Sequence, residues 1–175
     1  QGEYSFAVRP VAPSPIGALR GSPEGAQHCV ELLNTAGFPF RTEPAIQREI
    51  WKKAIINTVF NSICPLLEAD NGIFVRDPAL KDLAQAVVAE CIAVTDRLDL
   101  SLSEPEVMEQ LLLISRRSDG PLISTLQDLR SGRPTEIAFF NPAIVRVAAA
   151  LEPPLELTRV SLLGTLVEAR SKQQV

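Results

Sequence analysis

Beyond residue 43 the chain is cut by proline and glycine into lengths whose apolar residues recur three and four apart, which narrows the fold to packed helices. Glu43-Pro44 marks the first start. Ile46, Ile50, Ala54, Val59 and Ile63 keep helical spacing up to Pro65, where a missing N–H and a ring clash predict a kink or an end. Asp70-Asn71-Gly72 reads as a turn, and Asp77-Pro78 as the capped start of a second long helix through Leu80, Leu83, Val87, Cys91, Val94 and Leu98. Ser103-Glu104-Pro105-Glu106 opens a shorter helix through Val107, Leu111 and Ile114. Ser118-Asp119-Gly120-Pro121 then breaks the chain before a segment holding Leu122, Ile123, Leu126 and Leu129. After Ser131-Gly132-Arg133-Pro134, Thr135 reads as the N-cap of a helix through Ile137, Phe140, Ile144, Val147 and Leu151. Pro142 inside that pattern predicts a kink, or a start shifted toward Asn141. Pro153-Pro154 sets off a last helix from Leu157 to Ala169. About six helices with short connections make a bundle, so the fold class is mainly α.

The first 43 residues read differently. Tyr4 to Ala12 predicts a strand interrupted by Pro10, and Ser14-Pro15-Ile16-Gly17 predicts a turn. Ser22-Pro23-Glu24 supplies an N-cap, a proline at the first helical position and an acidic first turn for a short helix that runs to Asn34 and stops at Gly37. Phe38 to Thr42 predicts a second strand, with Pro39 suited to an edge. Strand, helix, strand is too little sheet to stand alone. Residues 1–43 are therefore expected to be the tail of a larger α/β domain, and residues 44–175 an all-helical domain.

Composition excludes several classes of function. The 21 acidic and 17 basic residues leave a net charge of −4 and form no basic stripe, so nucleic acid is not an expected partner. The longest apolar runs, Leu111 to Ile114 and Val145 to Leu151, fall well short of the roughly 20 residues a bilayer requires. No membrane segment is expected, and with no basic region leading into an apolar core at the N-terminus the expected location is cytoplasmic. Cys29, Cys64 and Cys91 lie far apart in apolar surroundings, as reduced core residues would. The single histidine, His28, offers no zinc cluster and reads as a partly exposed helix residue.

Two polar groupings interrupt the apolar pattern. Lys53, Asn57 and Asn61 are spaced four apart, so each step turns about 40° and the three share one slowly winding stripe about 12 Å long. Ile55, Ile56, Val59, Phe60 and Ile63 surround it. Asparagine is a mediocre helix former and costly to bury without partners, so two here are informative, although a solvated outer face would use the same spacing. The second grouping is Ser124, Gln127 and Asp128 with Arg130, Arg133, Thr135 and Glu136, for which ordinary helix-start electrostatics is the competing explanation. Trp51 beside Lys52 and Lys53 could stack on a base, but one tryptophan without a basic surface better fits a core or interdomain anchor.

Read together, Glu49-Ile50-Trp51-Lys52-Lys53-Ala54-Ile55-Ile56-Asn57-Thr58-Val59-Phe60-Asn61, Ser124-Thr125-Leu126-Gln127-Asp128 and Thr135-Glu136-Ile137 resemble the C-terminal domain of the ketopantoate reductase family. Ile16-Gly17 and the Asn71-Gly72 turn agree with it, and the resemblance covers nearly the whole chain. It implies that a full-length protein reduces ketopantoate to pantoate, or a related 2-keto acid, with NADPH bound by an N-terminal Rossmann domain. It implies further that Lys53 is the catalytic lysine giving a proton to the forming alkoxide, and that Asn57 and Asn61 help place substrate and cofactor. Ser124 would hold the substrate carboxylate, and Glu136 would contact the substrate hydroxyl, orient the site and pair with Lys53 in an empty cleft.

Ala138 stands where the family usually has an acid, and Pro142 where glycine usually follows Asn141, so another 2-keto acid, or a lost activity, is compatible with these residues. No Gly-x-Gly-x-x-Gly follows a strand, so the main nucleotide site is expected outside this chain, and the chain alone is expected to be inactive. The rival reading is a non-catalytic helical interaction or dimerisation module. A homodimer stays open under either.

Overall fold

The computed structural model describes residues 13–34 and 39–173, and the chain divides into two compact units, Gln1–Glu49 and Ile50–Val175. The strand expected from Tyr4 to Ala12 and the stop expected at Gly37 lie outside the described residues.

In the first unit β1 (Ser14–Ile16) and β2 (Phe40–Thr42) pair in parallel, joined by helix α1 (Glu24–Asn34). The turn expected at Ser14-Pro15-Ile16-Gly17 is instead this strand. Pro15 is tolerated there because alternate residues of a strand point their backbone groups to opposite edges. Ser14 donates to the Pro39 carbonyl at 2.9 Å and Ile16 accepts from the Glu43 amide at 2.8 Å, so the residue between them faces away from β2. Asn34 fastens the end of α1 to β2, donating to the Phe40 carbonyl at 3.2 Å and accepting from its amide at 2.7 Å. Gly17 is required by packing, since a Cβ there would lie 2.2 Å from the Glu43 carbonyl oxygen. Cys29, expected in a core, is exposed on α1, whose buried face is Ala26 and Val30.

The second unit is helical and its axis is α2 (Ile46–Leu67), which starts in the first unit. Residues 58–65 of α2 are all buried, so the helix is packed on most sides and lacks the single wet face of an amphipathic surface helix. Ile55, Ile56, Val59, Phe60 and Ile63 join Val87, Val88, Cys91 and Val94 of α4 (Pro78–Arg97) and Val107 and Leu111 of α5 (Glu104–Arg117) in one core. Phe60 meets Phe74 of the short α3 (Ile73–Arg76) edge to face, with ring centroids 5.0 Å apart. Trp51 packs half-buried against this core. Asp77 caps α4 by accepting from the Ala79 amide at 2.9 Å and the Leu80 amide at 3.3 Å.

Pro65, expected to kink or end the first long helix, sits inside it, and α2 runs on to Leu67. The last turn is held from outside: Arg170 of α8 (Thr158–Gln173) donates to the carbonyls of Pro65 and Leu66 and pairs with Glu68. A guanidinium at a helix C-terminus also opposes the negative end of the dipole. Glu90 of α4 caps the start of α8, accepting from the amides of Arg159 and Val160 at 3.0 Å each.

α6 (Ser124–Arg130) buries Leu126 and Leu129. No α-helix begins at Thr135. A 3-10 turn covers Ile137–Phe139, Phe140 departs from helical geometry, and α7 (Asn141–Ala149) begins at Asn141, with Pro142 in its first turn where a proline N–H is not needed. The expected last helix is α8. Among the described residues no helix is long and apolar enough to cross a membrane.

Candidate active-site face on helix α2

The polar stripe on α2 runs from solvent into the core. Lys53 is exposed, Asn57 is half-buried and Asn61 is only 2% exposed, because α2 enters the packed unit as it proceeds. A solvated face therefore describes Lys53 but not Asn61. No hydrogen bond or ion pair engages the side chain of Lys53 or Asn57 among the described residues, and both are uncommitted. Neighbouring Lys52 is different, bonding Glu106 of α5 at 3.1 Å.

Asn61 is committed. Its amide donates to the Asn57 backbone carbonyl at 3.0 Å, and its side-chain oxygen accepts from the Thr125 hydroxyl at 2.7 Å. That bond joins α2 to α6, the helix that Ser124 begins. Ser124 is exposed and begins α6, where no side chain caps the helix, so its hydroxyl has no structural task among the described residues.

The other residues of the second grouping have local partners. Gln127 donates to the Leu122 carbonyl at 2.7 Å, Arg133 holds Asp128 at 2.8 and 2.9 Å, and Arg130 lies 3.7 Å from Glu68. Glu136 is exposed in the turn before the 3-10 segment and makes no ion pair with Lys53, so the pairing expected in an empty cleft is absent among the described residues. Sequence spacing missed Thr125, whose partner lies 64 residues away.

The remaining reactive groups do not add to this face. Burial, with the Asp70 charge, pushes the Cys64 thiol up to about 12, and burial with the Glu90 charge does the same to Cys91. Both stay protonated and are poor nucleophiles at neutral pH. A groove of about 720 Å³ lined by Val145, Ala149, Leu155, Leu157, Leu162 and Thr165 is apolar and holds none of the stripe residues.

The described residues thus form a parallel strand-helix-strand unit followed by a helical unit built around a central, partly polar helix. Residues 45–170 match the family described as "Ketopantoate reductase PanE/ApbA C terminal", and the chain belongs to that family. A 2-dehydropantoate 2-reductase of Pyrococcus horikoshii is 33% identical over 155 residues, covering 86% of this chain and 49% of its own length. Among solved structures, D-mandelate dehydrogenase with NADH and anilino(oxo)acetate superposes with a TM-score of 0.80 at 22% identity, over 88% of this chain and 50% of that one. A dimeric ketopantoate reductase from Staphylococcus aureus gives 0.73 at 21% identity, over 85% and 51%. The chain thus spans about half the length of the curated relatives it matches.

Proposed function

We propose that this helical domain, residues 44–175, serves the NADPH-dependent reduction of ketopantoate, or of a related 2-keto acid, in the full-length protein, and that residues 1–43 end its nucleotide-binding domain. Family membership, joined to an exposed and uncommitted lysine at the open end of the α2 stripe, is the observation that carries this reading.

The described residues do not build a pyrophosphate cradle. The β1–α1 connection has no glycine-rich turn, and the space beside Gly17 is filled by Glu43 and Ile46. The nicotinamide supplies the hydride when bound by the complete protein. This chain's residues act on the substrate. Reduction of a ketone builds negative charge on its oxygen, and the Lys53 ammonium stabilises that charge and gives it a proton. Ser124 donates to the substrate carboxylate, Asn57 orients the substrate, Glu136 contacts the hydroxyl, and Asn61 contributes by holding α2 to α6.

D-Mandelate dehydrogenase, which shares the fold, is described with NADH, so the preference for NADPH rests on the likeness to the reductases alone. Ala138 is exposed and half-buried Pro142 lies in the first turn of α7, and these departures from the acid and glycine usual in the family are the reason a related 2-keto acid stands beside ketopantoate in the proposal. Three free cysteines suit a reducing compartment, and we place the protein in the cytoplasm. The second reading is a non-catalytic interaction or dimerisation module, for which Leu162 and Leu166, turned outward by α8 at 57% and 45% exposure, offer an apolar contact; a homodimer is compatible with both readings.

The test is steady-state oxidation of NADPH and NADH by the full-length protein over a panel of 2-keto acids including ketopantoate. Turnover with a 2-keto acid, and none by the 175-residue chain alone, is expected. No turnover of any member with either nucleotide would contradict the reading.

A further inference from the structure

Thr125 is 1% exposed, and its hydroxyl donates to the side-chain oxygen of Asn61 at 2.7 Å, across 64 residues of sequence. Asn61, 2% exposed, passes the link on by donating to the Asn57 backbone carbonyl at 3.0 Å. The pair is enclosed, so neither group can exchange its partner for bulk water. Leu126 and Leu129 also hold α6 in place, at 0% and 3% exposure, but apolar burial is non-directional and leaves a short helix free to turn and slide slightly. A hydrogen bond does not. Because Thr125 directly follows Ser124, its bond to Asn61 ties the first turn of α6, which Ser124 begins, to α2.

We infer that Thr125 is a positioning residue of the proposed site, which through a buried bond to Asn61 sets the register of Ser124 against the Lys53–Asn57 stripe. The inference rests on the proposed function, in which Ser124 holds the substrate carboxylate. Thr125 touches no substrate in this account. Its loss therefore displaces a contact made equally in the ground state and the transition state, and weakens binding more than it slows the chemical step.

The test compares Thr125→Val, which keeps the shape and removes the donor, with Thr125→Ser, which keeps the donor. In the full-length protein, with ketopantoate and NADPH as probes, Thr125→Val is expected to raise KM for the keto acid about tenfold while kcat stays within about threefold. Thr125→Ser is expected to return KM to within about threefold of the unmodified protein. A general loss of packing would not be rescued by the smaller serine. In parallel, amide NMR spectra of the 175-residue chain should show the Asn61 side-chain amide and the Ser124 backbone amide moving in Thr125→Val and staying in place in Thr125→Ser. Unchanged kinetics in Thr125→Val, equal effects of the two variants, or unmoved Asn61 and Ser124 signals would overturn the inference. If the unmodified full-length protein reduces no 2-keto acid, the reading of the site falls instead, and the spectra alone judge the coupling of Thr125 to Asn61.

Discussion

Burying an amide side chain is tolerable only when both of its ends are paired, and Asn61 meets that condition with a backbone carbonyl one turn back and a hydroxyl on another helix. Asn57 and Lys53, one and two turns nearer the solvent, remain free for other work. The four-residue spacing made the stripe legible in the sequence. The division of labour within it was not, because the partner of Asn61 is set by how α6 packs and no local pattern encodes it. Asp70 shows the same dependence on distant chain. Desolvation raises its pKa, but hydrogen bonds from Arg76 and from the amides of Gly72 and Gly120, with the Arg76 charge, outweigh that and hold the carboxyl below its ordinary value of 3.8. A carboxylate with a depressed folded pKa stabilises fully above the unfolded value and loses that contribution as pH falls through the folded one. Asp70→Asn is therefore expected to be less stable than the unmodified chain above about pH 4, with the difference shrinking below it. Urea midpoints measured from pH 7 to pH 2.5 check this, and a constant difference across the range would contradict it.

Caps and breaks dictated by single residues were readable one element at a time at Asp77 before α4 and at the proline-bearing start of α5, whereas the helix start read at Thr135 lies at Asn141, the alternative that Pro142 offered. The departures occur where another element supplies what the local chain lacks. Arg170 secures the turn of α2 beyond Pro65, and β2 converts Ser14–Ile16 into a strand. The approach of α7 to α8 also depends on a distant residue. Gly164 is buried in α8, and a Cβ there would lie 2.7 Å from the Cβ of Asn141 and 3.3 Å from the Cδ of Pro142. In an open helix interior, glycine to alanine stabilises by about 1 kcal/mol. Here the added methyl must push the root of α7 aside, so Gly164→Ala is expected to destabilise by about 1 to 3 kcal/mol. Thermal denaturation gives the sign directly, and a rise in the midpoint would show that the two helices do not depend on this contact.

At the scale of the molecule, the mainly helical class, α1 and the second strand of the first unit were accessible from periodicity and punctuation, the strand at Ser14–Ile16 was not, and the chemistry became legible only through the ordered motifs at 49–61, 124–128 and 135–137. A helical bundle hosts many functions, and nothing in its packing alone selects a keto acid. The family supplies the reaction proposed, and the described residues supply an uncommitted ammonium, a free hydroxyl and a buried tie between the helices that carry them. In the proposed reaction Lys53 meets the charge that develops on the reacting oxygen. An interaction made chiefly in the transition state appears in kcat, and loss of general acid catalysis is typically worth about 10²- to 10⁴-fold. The most direct measurement is steady-state kinetics of the full-length Lys53→Ala protein with a 2-keto acid and NADPH. A fall of kcat in that range with little change in NADPH affinity is the predicted result, and a kcat within about threefold of the unmodified protein would contradict the account.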